Sequence, residues 1–309
     1  MLKYIFKRLF TWIFLLVAVI FMAFMLLHLF GNLMGHRFLV GGTPEALWEW
    51  REMRGLNDPV LIQYTRYMAG IFRGDLGNSF WSSMSVTEEV MTRLTYTLGL
   101  SLAALSAALI LALPIGIIAA LKRNTWIDKL SMFIVYIGIS IPAMWLGVLL
   151  IHLRALHIGW SPVVRRGNSW DIFVLPAITL GTVMLAAMIG IIRSSVLEAM
   201  EQNYIRIAQA KGLSGGRVIF KHVLPNIIIP VLTSFKANLG VFFTGIIIVE
   251  NLFARPGISR LLLQGVANRD YPVILGCLFM LILFFALLNF AVDITKAFAD
   301  PRMRRGSLC

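Results

Sequence analysis

The chain has 309 residues, of which 59% are hydrophobic and 14% charged, with a net charge of +13. Soluble domains carry about 25% charged residues, so the apolar excess is too large for one aqueous core and points to lipid as the solvent. The positive charge does not indicate nucleic acid, because the basic residues lie beside apolar segments; Cys277 inside an apolar run and Cys309 at the last position supply neither a disulfide framework nor a zinc site.

Lys3, Lys7 and Arg8 precede an apolar run from Leu9 to Phe30. The run exceeds the roughly 7–15 residues of a signal-peptide core, and no small-residue cleavage site follows it. It reads as an uncleaved first membrane helix, so residues 1–30 are the N-terminus and first span. Residues 31–96 form the one candidate extra-membrane segment. Asn57-Asp58-Pro59 and Gly74-Asp75-Leu76-Gly77-Asn78 are turn signals. Ala46–Arg54, Val60–Phe72 and Ser85–Thr95 read as short helices, the second with Asp58 as its cap and Pro59 in its first turn.

Residues 97–309 read as the membrane core. Five more stretches approach the ~20 apolar residues of a helical span: Thr97–Leu121, Leu130–Leu153, Val174–Ile192, Ile227–Val249 and Pro272–Val292. Pro114 and Pro142 fall inside two of them and Pro176 opens a third. Each is either a kink that neighbouring helices compensate or a bend that shapes a pathway. There is no internal repeat. The predicted class is all-α, a polytopic membrane protein with six spans.

Basic residues orient the spans. Lys3, Lys7, Arg8, Lys122, Arg123, Lys129, the cluster from Arg193 to Lys221, Lys296 and Arg302–Arg305 fall on one side when both termini are cytoplasmic. The short loops opposite carry fewer, among them Arg154, Arg255 and Arg269. This bias follows the positive-inside rule.

The most patterned polar stretch is the cytoplasmic loop 198–225. Tyr204–Lys211 reads as a helix with Tyr204, Ile207 and Ala208 on one face and Arg206 and Lys211 off it. Gly212 ends it as a C-terminal glycine. Ser214-Gly215-Gly216 reads as a turn, and Arg217–Val223 as a second short helix stopped by Pro225. An amphipathic helix resting on anionic lipid is the plainer account of the same basic residues.

Ionisable residues within spans are functional candidates. Glu250 ends the fifth span, where it can pair with Arg255 or Arg269, lock an external turn, or form part of an outer gate. Lys236 lies inside the fifth span and either snorkels or lines a pathway. Asp293, near the end of the sixth, has Lys296 and Lys7 as expected partners. His28, Met34 and His36 do not make a persuasive nickel site. No H-E-x-x-H, G-x-S-x-G or paired intramembrane carboxylates support catalysis.

Gly212, eleven residues, then Leu224-Pro225 resembles the glycine and Leu-Pro of the "EAA" loop of ABC-importer permeases. The string from Tyr204 to Leu213 is similar to the Arg-x-Ala-x-Ala-Lys-Gly pattern of the dipeptide, oligopeptide and nickel branch. Arg206 stands where the general motif has Glu, and His222 where it has Ile. The likeness spans nearly the whole chain: Gly74-Asp75-Leu76-Gly77, Pro114-x-Gly116, Gly138-x-Ser140-x-Pro142, Leu175-Pro176-Ala177, Val249-Glu250-Asn251-Leu252-Phe253 with Pro256-Gly257, and Arg269-Asp270-Tyr271-Pro272. Near the end of the first span it departs, with Gly31-Asn32-Leu33 where Gly-Asp-Pro is frequent. Leu213-Ser214-Gly215-Gly216-Arg217 resembles the LSGGQ signature of ABC ATPases, but no G-x-x-x-x-G-K-[ST] accompanies it.

The resemblance implies a type I ABC importer permease fold in a bacterial inner membrane. It implies no catalysis and no cofactor in this chain, with ATP and Mg used by partner ATPase subunits. The other expected partners are a second permease, an extracytoplasmic solute-binding protein and membrane lipid. The coupling residues would be Tyr204, Arg206, Ala208, Lys211, Gly212, Leu213, Arg217, Leu224 and Pro225; Lys236, Glu250, Pro142 and Asp270 are candidates for pathway or gate. Short peptides are the implied substrate, with nickel, a metal chelate or glutathione as alternatives. A self-sufficient secondary carrier or channel would instead show inverted repeats and polar, broken spans.

Overall fold

The computed structural model describes residues 2–30, 43–158 and 171–299. Gly31-Asn32-Leu33, Met34, His36 and the basic residues after position 299 lie outside them. The side chains of Arg154 and His157 are outside the description as well. Among the described residues every regular element is a helix, apart from one antiparallel bridge between Asn78 and Ser85. In chain order these are α1 (Leu2–Phe30), α2 (Pro44–Met53), α3 (Val60–Phe72), α4 (Val86–Leu121), α5 (Trp126–Ser140), α6 (Ala143–Ile158), α7 (Asp171–Met200), α8 (Asn203–Ala210), α9 (Gly215–Val218), α10 (Leu224–Leu252), α11 (Ile258–Asn268) and α12 (Tyr271–Ala299). A π-helical turn, Ile219–Val223, joins α9 to α10.

Among the described residues five helices are long and apolar enough to cross a membrane, and α5 with α6 would make a sixth span if that bent pair is counted as one. The expected span Leu130–Leu153, with Pro142 inside it, is two helices meeting at 103°. Proline chemistry is the cause. Ile141, the residue before Pro142, is extended at φ −84°, ψ 120°, as the clash with the proline ring favours. Its amide makes the last bond of α5, to Ile137 O at 3.0 Å, and Leu146 N then bonds Pro142 O at 3.1 Å. Pro114 and Pro176 sit inside uninterrupted helices.

Two other expected boundaries change. Ser85–Thr95 is not a separate helix but the first turns of α4, which runs on for 36 residues. Asp58 does not cap α3, whose cap position is Pro59 without a side-chain bond; the Asp58 carboxylate is instead drawn to Arg66 Nη2 at 2.6 Å.

The chain forms two compact units, one of Met1–Arg8, Thr97–Arg255 and Leu287–Cys309, the other of Leu9–Tyr96 and Pro256–Ala286. In the first, α7 is the central helix, packed by α5, α6 and α10. Small residues permit the approach, as in other membrane bundles. A Cβ on Gly138 of α5 would lie 2.7 Å from Ala186 Cβ, and one on Gly245 of α10 would lie 2.9 Å from Leu180 Cδ1. A bidentate ion pair fastens the start of α5 to α7: Arg193 Nε and Nη2 donate to Asp128 Oδ1 and Oδ2 at 2.6 and 2.8 Å. Asp128, nearly buried, also accepts from Asn124 N at 2.9 Å.

The second unit has its own core, including Leu76, Phe80, Val86, Val90, Ile258 and Ile274. Its polar centre is Asp270, only 2% exposed. One carboxylate oxygen accepts from Ser79 Oγ at 2.5 Å and Trp81 N at 3.2 Å, and the other accepts from Phe80 N at 3.0 Å. Asp270 thus pins the turn after Gly77 to the turn between α11 and α12. That is a structural anchoring role for a residue expected at a pathway or gate. Gly74 and Gly77 of the same stretch have φ +76° and +86°, and Thr87 of α4 accepts from Leu76 N at 2.9 Å.

Replacing Asp270 with Ala strands these buried donors and is expected to cost about 2–4 kcal/mol. A thermal melt of the detergent-purified protein reads the loss; an unchanged melting temperature would refute the anchoring role. Gly138→Leu is expected to abolish proper packing of α5 on α7, read as aggregation on size-exclusion chromatography, whereas Gly240→Leu, where a Cβ meets nothing within 4 Å, should not aggregate.

Candidate functional site

The segment after α7 turns through Glu201 and Gln202 into α8. Gln202 is extended at φ −72°, ψ 144°, and no side chain caps the helix. Ile205 (0% exposed) and Ala208 (5%) form the buried stripe, three residues apart on one face. The expected face of Tyr204, Ile207 and Ala208 is corrected accordingly. Tyr204 and Ile207 are 40% and 56% exposed. The apolar pattern of eight residues fits two faces, and only packing selects the one turned inward.

The end of α8 is a glycine cap of the expected kind. Gly212 has φ +78°. Its amide bonds Gln209 O at 2.9 Å and Leu213 N bonds Ala208 O at 3.3 Å, the paired bonds of a Schellman motif. A Cβ on Gly212 would meet nothing within 4 Å. The glycine is therefore required by backbone conformation within this chain, and the space outside it is open.

Ser214-Gly215-Gly216 was expected as a turn and Arg217–Val223 as a helix stopped by Pro225. Both readings are corrected. Gly215 and Gly216 already lie in α9, with Ser214 at its cap position. Pro225 does not stop the chain, because it occupies the first turn of α10, where a helix has no use for its N–H. The π turn Ile219–Val223 carries the helix past the missing donor, and Asn226 Nδ2 adds a bond to His222 O at 2.6 Å. Residues Gly215–Leu252 are thus one continuous helical rod of 38 residues.

Tyr204, Arg206, Ile207, Lys211, Gly212 and Arg217 are exposed along this segment, as is Phe220 at 74% exposure. Leu213 and Leu224 are half-buried, Ala208 is buried and Pro225 is exposed. The segment thus combines exposed aromatic and aliphatic groups with exposed cations on and after a short helix closed by glycine. Phe220 was missed in the sequence, where it sat inside an assumed amphipathic helix.

The pathway candidates separate. Lys236 Nζ donates to Asp293 Oδ1 at 2.6 Å, and Arg8 Nε lies 3.7 Å from Asp293 Oδ2. The ion pairs of Asp293 are with Lys236 and Arg8, residues 57 and 285 positions away in the chain, while the expected Lys296 lies within reach of the same charge; the side chain of Asp293 is 3% exposed and that of Lys236 23%. Glu250, completely buried, accepts from Thr97 Oγ1 at 2.6 Å, and its carbonyl accepts from Arg255 N at 2.8 Å. Pro142 sits at the break between α5 and α6. A separate cavity of about 730 Å³ between α4 and α7, walled by Ala103, Ala107, Ala177 and Gly181, carries no ionisable group. The Asp128–Arg193 pair was not singled out by sequence; its one signal was an acid in the otherwise basic stretch Lys122–Lys129.

Among the described residues no group of three His, Cys, Asp or Glu side chains is placed to hold a metal ion. His28 is instead engaged locally, its Nδ1 2.9 Å from Phe24 O and its Nε2 3.0 Å from Gln63 Oε1.

Comparison with known proteins assigns this arrangement. Residues 112–305 match the family described as binding-protein-dependent transport system inner membrane component, and residues 1–102 match the N-terminal part described for the same systems. The dipeptide transport system permease protein DppB of Alkalihalophilus pseudofirmus is 34% identical over 98% of this chain and 100% of its own. The glutathione transport system permease protein GsiC is 37% identical in Salmonella paratyphi A and 38% in Escherichia coli, over 98% of this chain and 99% of theirs. An inward-facing structure of the MetNI methionine ABC transporter covers 68% of this chain and 96% of its own at a TM-score of 0.55, with 17% identity, and so shares the fold. The resemblance read from the motifs is borne out: the chain belongs to the family of inner membrane components of binding-protein-dependent transport systems, as a multi-pass transport subunit.

Proposed function

We propose that this chain is one of two permeases forming the translocation pathway of an ABC importer for short peptides. The observation that carries the reading is the exposed surface of Tyr204, Ile207 and Phe220 around the Gly212 cap. It suits the groove of a separate ATPase, which would bind ATP and Mg. A second permease, one or two ATPase proteins and an extracytoplasmic solute-binding protein complete the assembly, in contact with membrane lipid. Both termini would be cytoplasmic, as the basic residues suggest. The peptide substrate is supported by the DppB relative; glutathione, a tripeptide, is the second reading, supported by the GsiC relatives.

The geometry supports alternating access. Closure of the ATPases on ATP displaces the α8–α9 segment. Because Gly215–Leu252 is one rod, the displacement is delivered along α10 without a slack joint. That rod carries both Lys236, paired with Asp293, and Glu250, bonded to Thr97. Moving it changes the contacts of two buried charges at once. A ligand biases an equilibrium only through contacts that differ between the states, and these two are such contacts. Hydrolysis then resets the helices.

Gly212→Trp is expected to leave the protein inserted and assembled while uptake per ATP hydrolysed falls about tenfold in proteoliposomes. Gly212→Asn, which tolerates the left-handed conformation, should retain most of the uptake. Normal coupling by the Trp variant would sink the docking assignment. For the intramembrane pair, Asp293→Asn leaves Lys236 without its anionic partner and should cost about 3–5 kcal/mol of stability. The apolar double variant Lys236→Met with Asp293→Leu should restore the melting temperature but not uptake. Full uptake by that double variant would reduce the pair to a structural role.

A further inference from the structure

The second unit has an open pocket of about 290 Å³ between the end of α1, the α2–α3 turn, the Gly70–Gly77 segment and the start of α12. That volume is at the small end of ligand sites. Its walls combine apolar surface from Leu56, Leu76, Phe80 and Leu275 with polar groups that the coupling mechanism does not use.

Two of these are phenols. Tyr271 is 5% exposed, and its hydroxyl is shut away from solvent with no hydrogen-bond partner; the hydroxyl of Tyr67 is in the same condition. Burial pushes the Tyr67 phenol far above its usual range, so it remains a proton donor. Buried hydroxyls almost always find partners, so these two, on residues that line the same cavity, are unmet polar groups beside it.

The charged groups are fixed rather than loose. The Arg66 guanidinium is held by Asp58 at 2.6 Å, and that of Arg54 stacks over Trp50 and Phe80 at 4.5 and 5.1 Å from the ring centroids. Asp75 supplies the acid of the wall, with one oxygen accepting from Gly77 N at 2.8 Å. Gln63 donates to Leu56 O and Asp58 O at 3.0 and 2.8 Å, which locks the α2–α3 turn against α3. Gly55 and Gly70 line the cavity where a Cβ would run into Arg66 and into Asp75 O.

We infer that this cavity is a binding site for a small peptide zwitterion, separate from the solute-binding protein. Arg54 and Arg66 receive the carboxylate, the two phenols donate to it or to the peptide carbonyl, and Asp75 takes the ammonium group. The apolar wall holds a side chain. The permease would then test its cargo itself. This inference rests on the peptide reading above.

The experiment uses the complete permease–ATPase complex in nanodiscs without binding protein and measures equilibrium binding of radiolabelled alanyl-alanine. Saturable binding is expected, competed by other free dipeptides but not by an N-acetylated, C-amidated one. Arg54→Gln should weaken it about tenfold or more, and Tyr271→Phe and Tyr67→Phe about fivefold each. Tyr271→Phe removes an unsatisfied buried hydroxyl, so its melting temperature should hold or rise while binding falls, which a packing role would not produce. Absence of saturable binding, or equal binding by all three variants, overturns the site. So does a phospholipid that co-purifies with the wild type, is lost in Arg54→Gln and is not displaced by dipeptide. Import of alanyl-alanine with binding protein added is measured in parallel. Failure of import alone would sink the peptide reading; failure of binding in an importing complex would sink this site only.

Discussion

Hydrocarbon offers a backbone no hydrogen-bond partner, and the architecture follows from that constraint. Helix is the default wherever the chain is apolar, so departures from helix need a local cause. At Ile141–Pro142 a residue forced to extended geometry breaks the rod and turns it by 103°. At Ile219–Val223 a π turn absorbs the donor that Pro225 lacks, and the rod survives. At Gly212 a left-handed residue closes α8 by satisfying carbonyls that would otherwise be orphaned. Three similar sequence signals thus have three different consequences, decided by where each residue falls relative to a helix end.

The second constraint is that a buried charge must be met. Among the described residues four buried carboxylates organise the two units, and each is answered differently. Asp128 has a bidentate guanidinium and a backbone amide. Asp270 has two backbone amides and a serine hydroxyl. Asp293 has an ammonium on one oxygen and a more distant guanidinium near the other. Glu250 has a threonine hydroxyl. The first two act as fixed points. Asp293 bonds Lys236 of α10, and Glu250 lies on α10 itself, so both are tied to the same long helix.

Much of the segment from residue 203 to 225 was legible from residues alone. The helix over 203–210 and its glycine stop follow from a short periodic run and a residue that tolerates positive φ. The face of that helix was not legible, because Tyr204 and Ile207 are as apolar as the Ile205 and Ala208 that are buried in their place. The partner of Asp293 was missed for a related reason. Sequence reasoning searches nearby cations, whereas Lys236 lies 57 positions away and becomes a neighbour only in the folded chain.

By itself the sequence determined the solvent, the number of apolar stretches, the glycine-closed loop and the family, since these depend on composition, local backbone chemistry and motif order. Only the tertiary structure decided that Pro142 breaks a span while Pro225 does not, that Asp270 is an anchor, and that Lys236 answers Asp293. Those outcomes depend on which side chains are brought together across hundreds of residues. In an apolar medium, packing and charge compensation settle that, and neither is written in any local pattern.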